Sequence, residues 1–291
     1  MMSKKGLVLE GGGMRGAYTA GILETLLEED ISFPYVIGVS AGACVASSYI
    51  SGQKGRNRRV NIDLVRHPDY LSFKNILTKG QVFGMDFLFD RVPRELDPFD
   101  FDTFYKNLQE FVLVTTNCET GEPYYLNAPM DKEELLLSFR ATSSLPYMAP
   151  IVSLHNLSLL DGGLSDPVPI KKAFQDGCEK VVVVLTRNPG YRKDPSNVPK
   201  IFRYKYRHFP KVIDAILQRY KVYNESMDYL EAAESRGEAF IIRPKEPLKV
   251  KRVERNPVKL AELYEQGRME MRRQLEQLQD FLSPTKEKQP V

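Results

Sequence analysis

A serine set between two glycines, Gly38-Val39-Ser40-Ala41-Gly42, carries the clearest chemistry in the chain. The pattern G-x-S-x-G is that of a nucleophile elbow, a sharp strand-to-helix turn that lifts a hydroxyl clear of the backbone. Tyr35, Val36, Ile37 and Val39 make the run Pro34 to Val39 extended and apolar, which reads as the strand. Small residues from Ala41 to Ser48 follow and read as the helix. The turn forces the serine into a strained backbone conformation, so its neighbours must be small, and Gly38 and Gly42 meet that need. The same five letters also describe a tight glycine turn around an ordinary buried serine. The motif alone does not separate the two.

A second group lies upstream. Lys5 to Leu9 reads as a first strand and runs into Gly11-Gly12-Gly13-Met14-Arg15-Gly16. Tyr18, Ile22 and Leu26 then recur at helical spacing. A glycine loop between strand and helix offers free backbone N–H groups at a positive helix end, and so suits an anion. Two anions fit. One is a dinucleotide pyrophosphate, because Gly11, Gly13 and Gly16 match G-x-G-x-x-G. That fingerprint wants a carboxylate at the end of the second strand, where this chain has Ser40; Asp30 comes before that strand. The other is the oxyanion formed when Ser40 attacks an ester, held by the loop amides. Adjacent strand ends of a parallel sheet are where an open α/β fold places such a site. The oxyanion reading is preferred, and a dinucleotide-binding oxidoreductase is kept as its rival.

The third piece is Asp161-Gly162-Gly163, after the apolar run Leu157 to Leu160 and before Pro167-Val168-Pro169 and a helix from about Ile170. By itself Asp-Gly is a common turn pair.

Together these pieces resemble the patatin-like phospholipase family. Gly11, Gly12, Gly13, Arg15 and Gly16 match its G-G-G-x-[RK]-G motif, Gly38 to Gly42 its G-x-S-x-G, and Asp161-Gly162-Gly163 its D-G-[GA]. Ala141-Thr142-Ser143-Ser144-Leu145-Pro146, followed by Pro150, is similar to a fourth family stretch. The likeness runs from about Lys5 to about Val184. It implies a serine–aspartate dyad with Ser40 as nucleophile and Asp161 as base, and an oxyanion hole drawn from Gly11, Gly12, Gly13, Met14, Arg15 and Gly16. The expected fold is a three-layer α/β/α sandwich with a mainly parallel central sheet. The expected activity is a serine acyl hydrolase cleaving ester bonds of lipids, without cofactor or metal. A patatin-like scaffold that only binds lipid or a partner is a second rival.

The histidines agree with a dyad. His67 precedes a proline in a polar segment, His155 sits in a turn, and His208 lies in the basic stretch Arg203 to Lys211. An α/β-hydrolase triad needs its histidine after the acid, and only His208 follows Asp161. Arg15 has two readings, a structural pair for a carboxylate or a contact to a phosphate head group.

The chain has 291 residues, which suits one α/β unit with added helices. We expect a catalytic core over 1–185, strand and helices over 186–282 completing or covering it, and a flexible tail over 283–291. A net charge of +3 is too small to imply nucleic acid. Three cysteines argue against a disulfide framework, and Cys44 is expected as a small core residue. With no apolar signal or spanning run, a cytoplasmic protein with peripheral membrane contact is expected. Its oligomeric state is not legible. Lys54 to Arg59 reads as a basic link, a solvated loop in preference to a contact with anionic lipid. Val82 to Phe89 reads as a lid, an acyl-chain wall or a core segment. Phe111 to Thr116, Pro123 to Leu126, Val181 to Leu185 and Phe240 to Arg243 read as strands. Asp131 caps a helix to Phe139. Asn256-Pro257 opens a last helix with Leu260, Tyr264, Gly267, Met271, Leu275, Leu278 and Leu282 on one face, suited to covering the domain, a partner or a membrane.

Overall fold

The computed structural model describes residues 4–71, 81–128 and 130–283; beyond Ser283 the expected tail lies outside the described residues. The chain begins β1 (Lys5–Leu9), α1 (Gly16–Glu28), β2 (Tyr35–Val39), α2 (Ala41–Ile50), α3 (Arg56–Asn61). A π-helical stretch over Phe87–Leu96 leads to α4 (Phe101–Lys106), β3 (Glu110–Asn117), β4 (Pro123–Ala128) and α5 (Lys132–Thr142). Then come β5 (Val152–Leu154), β6 (Leu157–Asp161), α6 (Ile170–Gln175), β7 (Lys180–Val184) and α7 (Lys200–Lys205). The chain closes with α8 (Pro210–Ser235), β8 (Ala239–Ile242) and α9 (Pro257–Leu282).

The strands form one sheet in the order β5-β6-β3-β2-β1-β7-β8, with β4 on β3. The pairs β3-β2, β2-β1, β1-β7 and β7-β8 are parallel, while β4, β5 and β6 are antiparallel additions. Side chains alternate across the pleat, so the two faces carry separate cores. Leu7, Leu9, Val36, Leu113 and Val182 face a layer that includes α1, α2, α5 and α9. Val8, Ile37, Val112, Val114 and Val183 face α6 and α8. Helices on both faces of a mainly parallel sheet make the three-layer α/β/α sandwich that the motifs suggested.

One edge of β3 fixes the site. Glu110 to Val114 pair there with β2, and Thr115 to Asn117 pair with β6. β4 occupies the other edge. β6 therefore runs head-on toward the end of β2. Asp161 sits opposite Thr115, and Ser40 follows Val39, which sits opposite Val114. Two residues 121 positions apart are delivered to one point from opposite directions.

The helix ends follow their sequence signals. Asp131 accepts from the Glu134 amide at 2.8 Å, and Asn256 Oδ1 accepts from the Val258 amide at 3.0 Å. α9 covers the domain, burying Leu260, Tyr264, Met271 and Leu278. The Tyr18 hydroxyl of α1 donates to Glu270 at 2.7 Å, and Arg272 meets Glu28 at 2.9 Å.

Two expectations change. Lys54 to Arg59 is not a solvated loop throughout, because Arg56 opens α3 and is buried. Its guanidinium donates to Ser48 Oγ and the Asp97 carbonyl, both at 3.1 Å, and lies over the Phe99 ring. A buried cation needs such partners, and they were scattered too far along the sequence to be seen there. The carboxyl-terminal third also holds a long helix, α8, which the expected strand and helices over 186–282 had not placed.

Candidate active site

Ser40 sits at the junction of β2 and α2 with φ +53° and ψ −124°, a conformation that a residue with a side chain adopts only under constraint. Three contacts supply the constraint. The Ser40 amide donates to Thr142 Oγ1 at 2.9 Å, and that hydroxyl donates onward to the Val114 carbonyl at 2.5 Å. The Ser40 carbonyl accepts from the Cys44 amide at 3.1 Å, opening α2. Gly42 lets the new helix lie against β1, since a Cβ there would stand 2.6 Å from the Leu9 carbonyl oxygen.

Asp161 is 2% exposed. Its Oδ1 accepts from the Gly163 amide at 2.7 Å. Its Oδ2 is buried with no hydrogen-bond partner. Burial raises the Asp161 pKa above the usual aspartate value. The nearby Ser40 hydroxyl, the Gly163 amide, Arg219 and Arg252 oppose that rise. The Ser40 hydroxyl is close enough to favour the carboxylate, yet no hydrogen bond of ordinary geometry closes between them. Catalytic hydrogen bonds are often long before substrate arrives.

The glycine loop divides into two halves. Gly13, at φ +57°, starts a tight turn in which the Arg15 amide donates to the Gly12 carbonyl and the Gly16 amide turns back to Gly13 and Met14. The Met14 amide donates to the Arg252 carbonyl at 3.0 Å. Among the described residues the amides of Gly11, Gly12 and Gly13 donate to no protein acceptor. The expected donor set of Gly11 through Gly16 thus narrows, because the Met14 amide is taken by the Arg252 carbonyl and those of Arg15 and Gly16 by the loop's own carbonyls. The loop is packed on Ser40 at Gly11, on Thr186 at Gly12 and on Arg252 at Gly13.

Two cavities meet at Ser40. One, of about 130 Å³, is lined by apolar groups including Met14, Tyr70, Phe83, Leu88 and Phe139. Val82 to Phe89 serves it as wall and core together: Phe83, Met85, Leu88 and Phe89 line the space, while Val82 and Phe87 are buried. Cys44 is half-buried on the same wall, with its thiol pushed up to about 11 by burial. The other cavity is a polar cleft that contains Glu10, Arg15, Asp161, Lys193, Arg219 and Arg252. Gly13, Ser40 and Leu145 line both. No histidine lines either one. His67 stacks on Phe87, His155 pairs with Glu134 and His208 is exposed.

Residues 7–174 match the patatin-like phospholipase family. The chain belongs to that family. All three motifs of this patatin-like phospholipase family member fall inside the match, and membership places it among lipid hydrolases. Residues 209–283 match a domain family of unknown function, DUF6363. A curated relative, the uncharacterized protein YjjU of Escherichia coli (strain K12), is 26% identical over 248 residues, covering 83% of this chain and 69% of that protein. The crystal structure of VipD from Legionella pneumophila is a distant likeness, with 11% identity and a TM-score of 0.47 over 94% of this chain and 67% of that one.

Several site residues were not singled out from sequence. Thr142 stood in a recognised stretch, but its bond to the Ser40 amide needs the fold. Lys193 and Arg252 lie in loops with no local signal. Arg219 did leave one: it shares a face of α8 with buried Ile216 and Tyr223, where an apolar residue belongs.

Proposed function

We propose that this patatin-like chain is a serine acyl hydrolase acting on carboxylic esters of lipids. One observation carries the reading. Ser40 stands at the mouth of an apolar pocket beside an unpartnered carboxylate oxygen and three unspent glycine amides. The acyl chain enters the apolar pocket and brings its carbonyl to Ser40. Asp161 Oδ2 takes the Ser40 proton as Oγ attacks. The amides of Gly11, Gly12 and Gly13 receive the developing oxyanion. The alcohol leaves with the proton from Asp161, and water activated by the same carboxylate releases the acid. Purified protein should hydrolyse short-chain acyl esters and phospholipids in a turnover assay. Folded protein that binds lipid and turns over no acyl ester would leave only the scaffold reading.

The same reading needs a lipid surface. No helix among the described residues is long and apolar enough to cross a membrane. α7 exposes Ile201 at 72% and Tyr204 at 68%. Lys200, Arg203, Lys205, Arg207 and Lys211 surround them, with no carboxylate between Asp194 and Asp214. Apolar anchors in a basic field suit an anionic bilayer, each cation adding about 1 kcal/mol. Phe202 joins the patch to Tyr147, with ring centroids 3.7 Å apart, two residues from Leu145 at the junction of the cavities. Replacing Ile201 and Tyr204 together by Glu should weaken sedimentation with phosphatidylserine vesicles about tenfold or more. Hydrolysis of a water-soluble ester should persist. Undiminished vesicle binding would exclude this surface.

A further inference from the structure

Gly163 is held from both sides beside the dyad. Its amide donates to Asp161 Oδ1 at 2.7 Å, while Asp161 Oδ2 is buried without a partner. Its carbonyl accepts from Arg219 Nε at 2.5 Å. Ser165 and Asp166 turn their amides to the Gly162 carbonyl instead, and Pro167 has no N–H to offer. Among the described residues Arg219 is the side chain that grips the Gly163 carbonyl.

The position has to be glycine, because a Cβ there would stand 2.9 Å from Asp161 Oδ1 and 3.5 Å from Arg219 Nη2. Glycine has the freest backbone of any residue, so its own sterics do not aim the amide at Asp161. A restraint from outside must do so, and the Arg219 bond to the carbonyl of the same residue is placed to supply it.

Arg219 is a costly residue for its place. It lies half-buried on α8, three residues after buried Ile216 and four before buried Tyr223. Packing that face on the sheet calls for an apolar side chain, not a cation. Burial and the neighbouring Arg252 lower the Arg219 pKa, against Asp161 and Glu10. Arg219 also lies outside residues 7–174 and inside the 209–283 module of unknown function. The same module reaches the glycine loop, where the Arg252 carbonyl accepts from the Met14 amide at 3.0 Å.

We propose that Arg219 is a positioning residue for the ester hydrolysis: by gripping the Gly163 carbonyl it fixes the Gly163 amide on Asp161 Oδ1 and so presents Oδ2 to Ser40. The carboxyl-terminal module thereby completes the active site as well as covering the domain. This rests on the acyl hydrolase reading given above.

Two substitutions in the full-length chain separate the grip from its charge. Gln carries its amide nitrogen as many bonds from Cα as Arg carries Nε, so Arg219→Gln keeps a neutral donor for the Gly163 carbonyl. Arg219→Met keeps the apolar stem and donates nothing. On a water-soluble butyryl ester, above each variant's acid limb, Arg219→Met should lower kcat about tenfold or more. KM should be unchanged, because Arg219 does not line the apolar pocket. Arg219→Gln should recover most of the lost kcat. Both variants lose a charge that opposes the burial-raised pKa of Asp161, so in both the acid limb should move to higher pH. The other titratable groups around Asp161 are Glu10, Arg15, Lys193, Arg252 and the Cys44 thiol, and every variant retains them.

A readout that needs no turnover keeps this role apart from the hydrolase reading. The carboxyl carbon of Asp161, labelled with ¹³C and assigned by its loss in Asp161→Asn, should titrate at higher pH in Arg219→Met and Arg219→Gln than in the wild type. That shift in a protein that hydrolyses no ester would overturn the hydrolase and keep Arg219 coupled to Asp161. A lower melting temperature in Arg219→Met with kcat and limb unmoved would reduce Arg219 to a structural tie and overturn the proposal while the hydrolase stands. Arg219→Gln as slow as Arg219→Met would also overturn it, because the grip on Gly163 would then not set the rate.

Discussion

Asp161→Asn should lower kcat on the order of 10⁴-fold, about 5 kcal/mol of barrier, in a protein that stays folded. An amide oxygen still accepts from the Gly163 amide, so the turn is kept, but an amide cannot take the Ser40 proton. The sign of the stability change differs from that of most site mutations. Burial raises the Asp161 pKa, so the ionised group opposes folding. Its favourable contribution is present below the unfolded value of about 3.9 and is lost as pH rises through the folded value. At neutral pH the variant should therefore melt no lower than the wild type. The rate follows the opposite sense, because only ionised Asp161 accepts a proton. The wild-type rate should fall as pH drops through a value above about 3.9. Gln at His67, His155 and His208 together should leave that limb in place. A folded His208→Gln protein that lost orders of magnitude in activity would restore a histidine base.

Gly12→Pro should cost roughly a hundredfold or more in kcat, because it deletes one of the three unspent amides that the proposed mechanism turns on the oxyanion. Proline also draws φ from −161° toward about −65°, so geometry and donor change together. Gly12→Ala separates them. It keeps the N–H and sets a Cβ 3.0 Å from Thr186 Oγ1, a contact the threonine side chain must yield to slightly. The proline variant should be about a hundredfold slower than the alanine variant when both are folded by thermal melt. Equal rates would remove Gly12 from the donors and leave Gly11 and Gly13.

What the sequence disclosed was local. Ser40 was legible because a strained turn demands small neighbours within two residues. β1, β2 and β7 were legible as apolar runs, and Asn256-Pro257 marked the start of α9. Asp161 by itself was only a turn. Its place beside Ser40 depends on β6 sharing an edge of β3 with β2, a pairing that no residue near Asp161 encodes. The α8 helix had a signal in Pro210 and in the spacing of Ile216, Tyr223, Met227 and Leu230. The dense charge of Arg203 to Lys211 obscured its start. The cationic cleft had almost none, since its members come from the glycine loop, two connecting segments and one helix. Electrostatic sites assembled across a fold leave no periodicity behind.

The central claim is that Ser40 is an activated nucleophile. A fluorophosphonate carrying an alkyl chain probes this directly, because it forms a covalent phosphonyl ester with such a serine. Peptide mass spectrometry after labelling should place a single adduct on Ser40, with none on the Ser40→Ala or Asp161→Asn proteins. An unlabelled Ser40 in folded protein that hydrolyses esters, or an adduct on another serine that accounts for the loss of activity, would contradict the account.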